Sequence, residues 1–207
     1  MGHKRDRKIS EYRIGKPRNR KKTILIAFEG KNATESLYFK NFNDRNKPYN
    51  IIMAKGNCTD PVNLVKSLIK QMKYQEIKVE DGNKVYCVFD TDEDPRKNEQ
   101  IKEATILAKS HDIEVITSSP CFEDWILCHF EKTTSKLTNK EAFEKVVKHI
   151  PKYKKSYDIY NDIYDKTEVA IKNAKFQEKY HLKSGRNIKS TFANPSTEVY
   201  RIVEYIK

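Results

Sequence analysis

Val85-Tyr86-Cys87-Val88-Phe89 is an unbroken apolar run, and it ends at Asp90-Thr91-Asp92-Glu93-Asp94-Pro95. A strand that reads apolar on both faces belongs in the middle of a parallel sheet covered on two sides. Its carboxyl end then opens into the crevice where such sheets bind ligands. Acids gathered there repel one another, and the usual resolution is a divalent cation, Mg²⁺ or Mn²⁺. With a second acidic strand end beside it, the pattern points to a metal-dependent phosphotransfer or nuclease domain.

The chain around this run alternates strand and helix. Strands are expected over residues 23–28, 50–55, 83–90 and 113–117. Helices are expected over 34–42, from Asp60-Pro61 to about Tyr74, over 95–110 and over 122–130. Asp60 is the natural cap of the second helix and Pro61 its first residue. The expected fold class is therefore α/β, a four-stranded, mostly parallel sheet with right-handed crossovers and flanking helices. Beyond residue 130 no strand is expected. Helices over 139–149, 165–180 and about 196–206 form a C-terminal extension, the last opened by the cap Asn194-Pro195-Ser196-Thr197-Glu198. Three segments follow: a basic arm over 1–22, an α/β core over 23–130 and a helical extension over 131–207.

Charge follows the same division. Residues 1–22 carry ten Lys/Arg against two acids, residues 23–130 fourteen against seventeen, and residues 131–207 seventeen against ten. An acidic centre between basic arms suits a metal site served by phosphate-binding surfaces, so nucleic acid is the expected partner. A basic, solvated surface with a disordered tail gives the same totals. No apolar run reaches the ~20 residues that span a bilayer, and the polybasic start lacks a secretory apolar core. No membrane partner is expected. Cys58, Cys87, Cys121 and Cys128 form no CxxC pair and read as reduced thiols, which places the chain in the cytoplasm.

Candidate site residues follow from sheet order. In a doubly wound sheet of order 2-1-3-4, Glu29 at the end of the first strand lies across from Asp90 and Asp92. Asp90 and Asp92, two apart in an extended segment, face one site while Thr91 points away. Gly30 permits a sharp turn, and Glu35 opens the next helix, from which it can swing toward the same crevice. Glu123, in Pro120-Cys121-Phe122-Glu123-Asp124-Trp125, is either a ligand for a second metal or an acid favoured by the helix dipole. Asp94 reads as a cap. Trp125, Phe130 and His129 read as core, while His111, His149 and His181 read as surface. Tyr153, Tyr157, Tyr160 and Tyr164 read as a buried helical stripe. Lys183, Arg186 and Lys189 around Gly185 form a basic loop, a phosphate contact or plain surface.

Glu29-Gly30, Asp90-Thr91-Asp92 and the run from Pro120 through Phe130, with Asn194-Pro195-Ser196-Thr197 and the basic arm, resemble the RloB/AbiLii family, whose domain is TOPRIM-like. The resemblance spans nearly the whole chain. One departure is Lys31-Asn32-Ala33, which separates Glu29-Gly30 from Thr34-Glu35 where the family has a compact Thr-Glu. The resemblance implies a phage-defence effector acting by abortive infection, encoded beside an ABC/AAA-type ATPase partner. It implies an Mg²⁺-dependent nuclease acting on DNA or RNA. Glu29 would be general acid/base or metal ligand, and Asp90 and Asp92 the metal ligands. Lys31, Arg96 or a C-terminal basic residue would meet the developing negative charge. A non-catalytic nucleic-acid-binding sensor or toxin subunit, and another metal-dependent phosphotransfer enzyme, are the competing readings.

Overall fold

The computed structural model describes residues 21–30, 33–56 and 58–207. The expectations for residues 1–20 of the basic arm and for Lys31 lie outside the described residues.

Strands β1 (Lys22–Phe28), β2 (Tyr49–Met53), β3 (Lys84–Asp90) and β4 (Glu114–Ser119) run parallel. Helices α1 (Ala33–Lys40), α2 (Pro61–Tyr74) and α3 (Lys97–Lys109) connect them. The sheet order is β2-β1-β3-β4-β5, so β1 and β3 are neighbours, with Phe28 in register with Val88. After β4 come α4 (Glu123–Leu127), α5 (Asn139–His149), α6 (Tyr160–Ile163) and α7 (Thr167–Lys183). The chain then gives β5 (Ser196–Thr197) and α8 (Val199–Ile206).

The sheet therefore has five strands, not four, and strands do not stop at residue 130. Ser196 and Thr197 pair antiparallel with Ser119 and Ser118. Two small polar residues carry no apolar alternation, and the hydroxyl-rich segment reads as a helix cap for a physical reason. Thr197 Oγ1 does accept from the Val199 N–H, 3.3 Å away. The helix simply begins later, after a short ladder in which Ser118 and Thr197 exchange a hydroxyl hydrogen bond of 2.9 Å.

Strand residues alternate between two cores. Leu25, Ala27, Val85, Cys87, Phe89 and Val115 pack against α2 and α3. Ile24, Ile26, Phe28, Tyr86, Val88 and Ile116 pack against α1 and the C-terminal helices, around the fully buried Trp125. Ile171, Val199, Ile202 and Ile206 belong to that same cluster, so the segment after residue 130 closes one face of the sheet. Asp60 caps α2 by accepting from the Asn63 N–H at 2.8 Å.

Two expectations change. His181 is buried, and a ring nitrogen hydrogen-bonds the Pro195 carbonyl at 2.9 Å. It belongs to the inner stripe Ala170, Ala174, Gln177 and His181 of α7, a helical period that its charged neighbours mask. The tyrosines form no single helical stripe. Tyr153 is buried, Tyr157 and Tyr160 half-buried and Tyr164 exposed, because a turn through Ser156 breaks the period before α6. His129 is a core residue with Nδ1 2.9 Å from the Trp125 carbonyl. The four cysteines are free thiols. Among the described residues no helix is long and apolar enough to cross a membrane.

Candidate functional site

The carboxyl ends of β1, β3 and β4 open onto one crevice. Glu29 follows β1, its N–H donating to the Val88 carbonyl at 3.2 Å. Gly30 then turns with φ +67° and donates to the Cys58 carbonyl at 2.7 Å. That left-handed conformation suits glycine.

Past Asp90, the chain keeps following β4. Thr91 N–H donates to Ser118 O at 2.8 Å, and Asp92 N–H to Pro120 O at 3.0 Å. Thr91 is buried and bonds Ser119 Oγ at 2.8 Å, so it does point away from the crevice. Asp92 is not extended: its φ of +53° lies in the left-handed region, which aspartate tolerates better than most residues. That turn carries its carboxylate to Lys97 at the start of α3.

Lys97 Nζ stands 3.0 Å from both oxygens of Glu29 and 2.7 Å from Asp92 Oδ2. Asn139 Nδ2 donates to the other oxygen of Asp92 at 3.2 Å. Glu29 and Asp92 are thus brought together, joined by an ammonium.

Glu35 and Glu123 complete the cluster. Glu35 is buried in the first turn of α1, despite the inserted Lys31-Asn32-Ala33. Glu123 is 1% exposed. Its Oε1 accepts from Lys155 Nζ at 2.5 Å and Tyr153 OH at 3.0 Å, and its Oε2 is buried with no hydrogen-bond partner among the described residues. The Lys155 turn is pinned to α1, because the Ser156 N–H donates to Thr34 Oγ1 at 3.0 Å.

The electrostatics follow from five acids and two lysines. Burial pushes Asp90 well above the usual aspartate range, and Glu35, Glu123, Asp92 and Glu29 all add to it. Burial pushes Glu35 up to about 7, with Glu123 and Glu29 contributing. Burial also raises Glu29, and Lys97 only partly offsets it. At Glu123 burial is again the largest influence and acts upward, but the charge and hydrogen bond of Lys155, with smaller help from Cys121 and the backbone, together leave this acid below its ordinary value.

The donors are hard oxygens, the set that suits Mg²⁺ or Mn²⁺. Among the described residues, however, no three His, Cys, Asp or Glu side chains converge closely enough to hold one ion. Lys97 occupies the space between two of the acids.

Other candidates lie elsewhere. Asp94 pairs with Arg96 on the surface, turning that arginine outward. Glu93 accepts from the Asn139 N–H at 2.7 Å, at the start of α5. Lys189, in the basic loop, is committed to the buried Glu198. Lys97 and Lys155 are the cations paired with the crevice acids that sequence reasoning missed. Asp92 and Lys97 are five apart, a spacing with no fixed meaning in a loop. Lys155 lies 32 residues beyond its partner.

A family model described as RloB-like protein matches residues 24–206, a span that contains every acid and both lysines of the crevice. Neither a curated protein nor a solved structure matches the chain. The match extends from β1 into the last turn of α8, and on that breadth the chain belongs to the RloB-like protein family.

Proposed function

We propose that the crevice is the active site of a divalent-metal-dependent nuclease, TOPRIM-like in kind, that works in phage defence. Membership in the RloB-like family fits a defence-related protein. The observation that carries the chemistry is the charge imbalance around Asp90, where five carboxylates share one crevice at the strand ends. Isolated buried charge is costly, and acids so placed are ordinarily neutralised by protons or a cation. Sheet order supports the TOPRIM-like reading, since the acid-bearing ends of β1 and β3 are adjacent.

Glu29, Asp90 and Asp92, drawn closer together than they stand here, would hold Mg²⁺ or Mn²⁺, with Glu123 reaching a second position. A cation there supplies positive charge to the phosphoryl oxygens and makes water a better nucleophile. Glu29, raised by burial, is suited to pass a proton at the reacting oxygens. Lys155 holds Glu123 ionised and oriented, and Tyr153 fixes the same oxygen. The substrate class is nucleic acid, DNA or RNA. An ABC/AAA-type ATPase is the proposed partner and the cytoplasm the proposed compartment.

One observation favours a second reading. Lys97 and Lys155 ion-pair with three of the acids, as a non-catalytic nucleic-acid-binding subunit that keeps the cluster for structure would require.

Cleavage assays on labelled DNA and RNA separate the two, run with Mg²⁺, Mn²⁺ or chelator and with the ATPase present. A nuclease cuts only with metal and loses cleavage in folded Asp92→Ala. Cleavage that survives chelation or Asp92→Ala would contradict the assignment. Salt-sensitive binding without cleavage under every metal would favour the second reading.

A further inference from the structure

Lys97 stands where neither helix nor core asks for a lysine. It is the first residue of α3, and a helix amino end favours anions over cations. Its side chain is 9% exposed, and burial disfavours the ammonium form. Only the acids account for its position: both oxygens of Glu29, from the end of β1, and Oδ2 of Asp92, from beyond β3. One ammonium thus ties together two carboxylates from neighbouring strand ends, as a bound cation would. Lys155 differs, since its side chain is 70% exposed and it serves Glu123 alone.

We propose that Lys97 is the built-in counter-ion of the divalent-cation site, and that metal binds by displacing its ammonium from Glu29 and Asp92. This rests on the reading of the crevice as a metal site. A lysine stem is flexible enough to swing away without backbone movement. Asp92 is the open end of the arrangement, with a side chain 42% exposed, and Asn139 steadies its other oxygen while Oδ2 changes partner. Two consequences follow. The metal-free crevice is held together against its own repulsion, and metal affinity is set below what the bare carboxylates would give.

The test is Mn²⁺ binding to the full-length protein, followed by electron paramagnetic resonance of free Mn²⁺ at fixed ionic strength. Wild type, Lys97→Met, Lys97→Arg and Asp90→Asn are compared. Lys97→Met is expected to bind Mn²⁺ about tenfold more tightly than wild type, equivalent to about 1.4 kcal/mol. It should also melt at a lower temperature than wild type in chelator and regain the difference with Mn²⁺. Lys97→Arg, which keeps the charge, should bind no more tightly than wild type. If Lys97→Met does not fold, Lys97→Gln carries the same comparison.

Unchanged or weaker binding in the neutral variant, with binding still lost in Asp90→Asn, would overturn the counter-ion role and leave the metal site standing. No Mn²⁺ binding by wild type or by the neutral variant would overturn both.

Discussion

Buried carboxylates meet β4 in two places, and their surroundings differ in kind. Near the β5 junction, Glu198 accepts from Thr117 N–H at 3.2 Å and Thr117 Oγ1 at 3.0 Å. Lys189 and Arg201 bring positive charge to it, and Arg201 also serves Glu178. Two acids there have two cations. On the other side of β4, past the carboxyl ends of β3 and β1, five acids in the crevice share Lys97 and Lys155 among the described residues. Among the described residues the first group has a cation for each acid and the second does not. Charge-matched buried pairs fasten chain segments together, while acids in excess of their cations at parallel strand ends are where the proposed ligand would bind.

That contrast breaks most sharply at Asp90. Asp90→Asn should lower metal-dependent cleavage by about a thousandfold or more, on the order of 4 kcal/mol of barrier. Metal-free stability should hold or rise, because the substitution removes one charge from among four others. Activity assays with thermal melts in chelator check both halves. A variant that cuts like wild type would erase the distinction between the regions.

Glu198→Ala should behave oppositely. Removing one partner of a buried pair takes the carboxylate away from the Thr117 donors and from Lys189, whose ammonium keeps only the Val115 carbonyl, and about 3–5 kcal/mol of stability should go. Denaturant unfolding with and without Mg²⁺ should give the same loss, since this network involves no metal.

Acidity sharpens the comparison further. Glu35 ionises near 7 in the fold, against an ordinary value of 4.5. Between those values the folded protein keeps a proton that the unfolded chain has released. Metal-free stability must therefore fall as pH rises from about 4.5 through about 7. The buried Asp124, also pushed up to about 7 by burial, acts in the same sense. Glu35→Gln should flatten the profile relative to wild type without abolishing the slope. Urea melts at several pH values in chelator measure it.

The smallest effect is expected at Arg96, whose pair with Asp94 is exposed and points away from the crevice. Arg96→Ala should change neither melting temperature nor cleavage measurably.

Much of this was readable from residues. The apolar runs of β1 and β3 ending in Glu29 and Asp90 specify buried parallel strands, and the alternation with helices specifies their order. What escaped detection lacks local pattern. β5 is two polar residues whose pairing is visible only beside β4. The left-handed turn at Asp92 departs from the extended segment that spacing suggests. Glu35, allowed to swing toward the crevice from its place in the first turn of α1, does lie near enough to Asp90 and Glu123 to influence them, although three residues separate its motif from Gly30. Lys97 and Lys155 resemble any other lysine in a chain that has many. Their roles come from distant acids that only folding brings near.

Anomalous X-ray scattering from crystals equilibrated with Mn²⁺ tests the central claim most directly. The expected result is a peak between Asp90, Glu29 and Asp92, with Lys97 moved off both of its carboxylates. Absence of a peak, with Lys97 still bridging Glu29 and Asp92 in the presence of Mn²⁺, would contradict the crevice as a metal site.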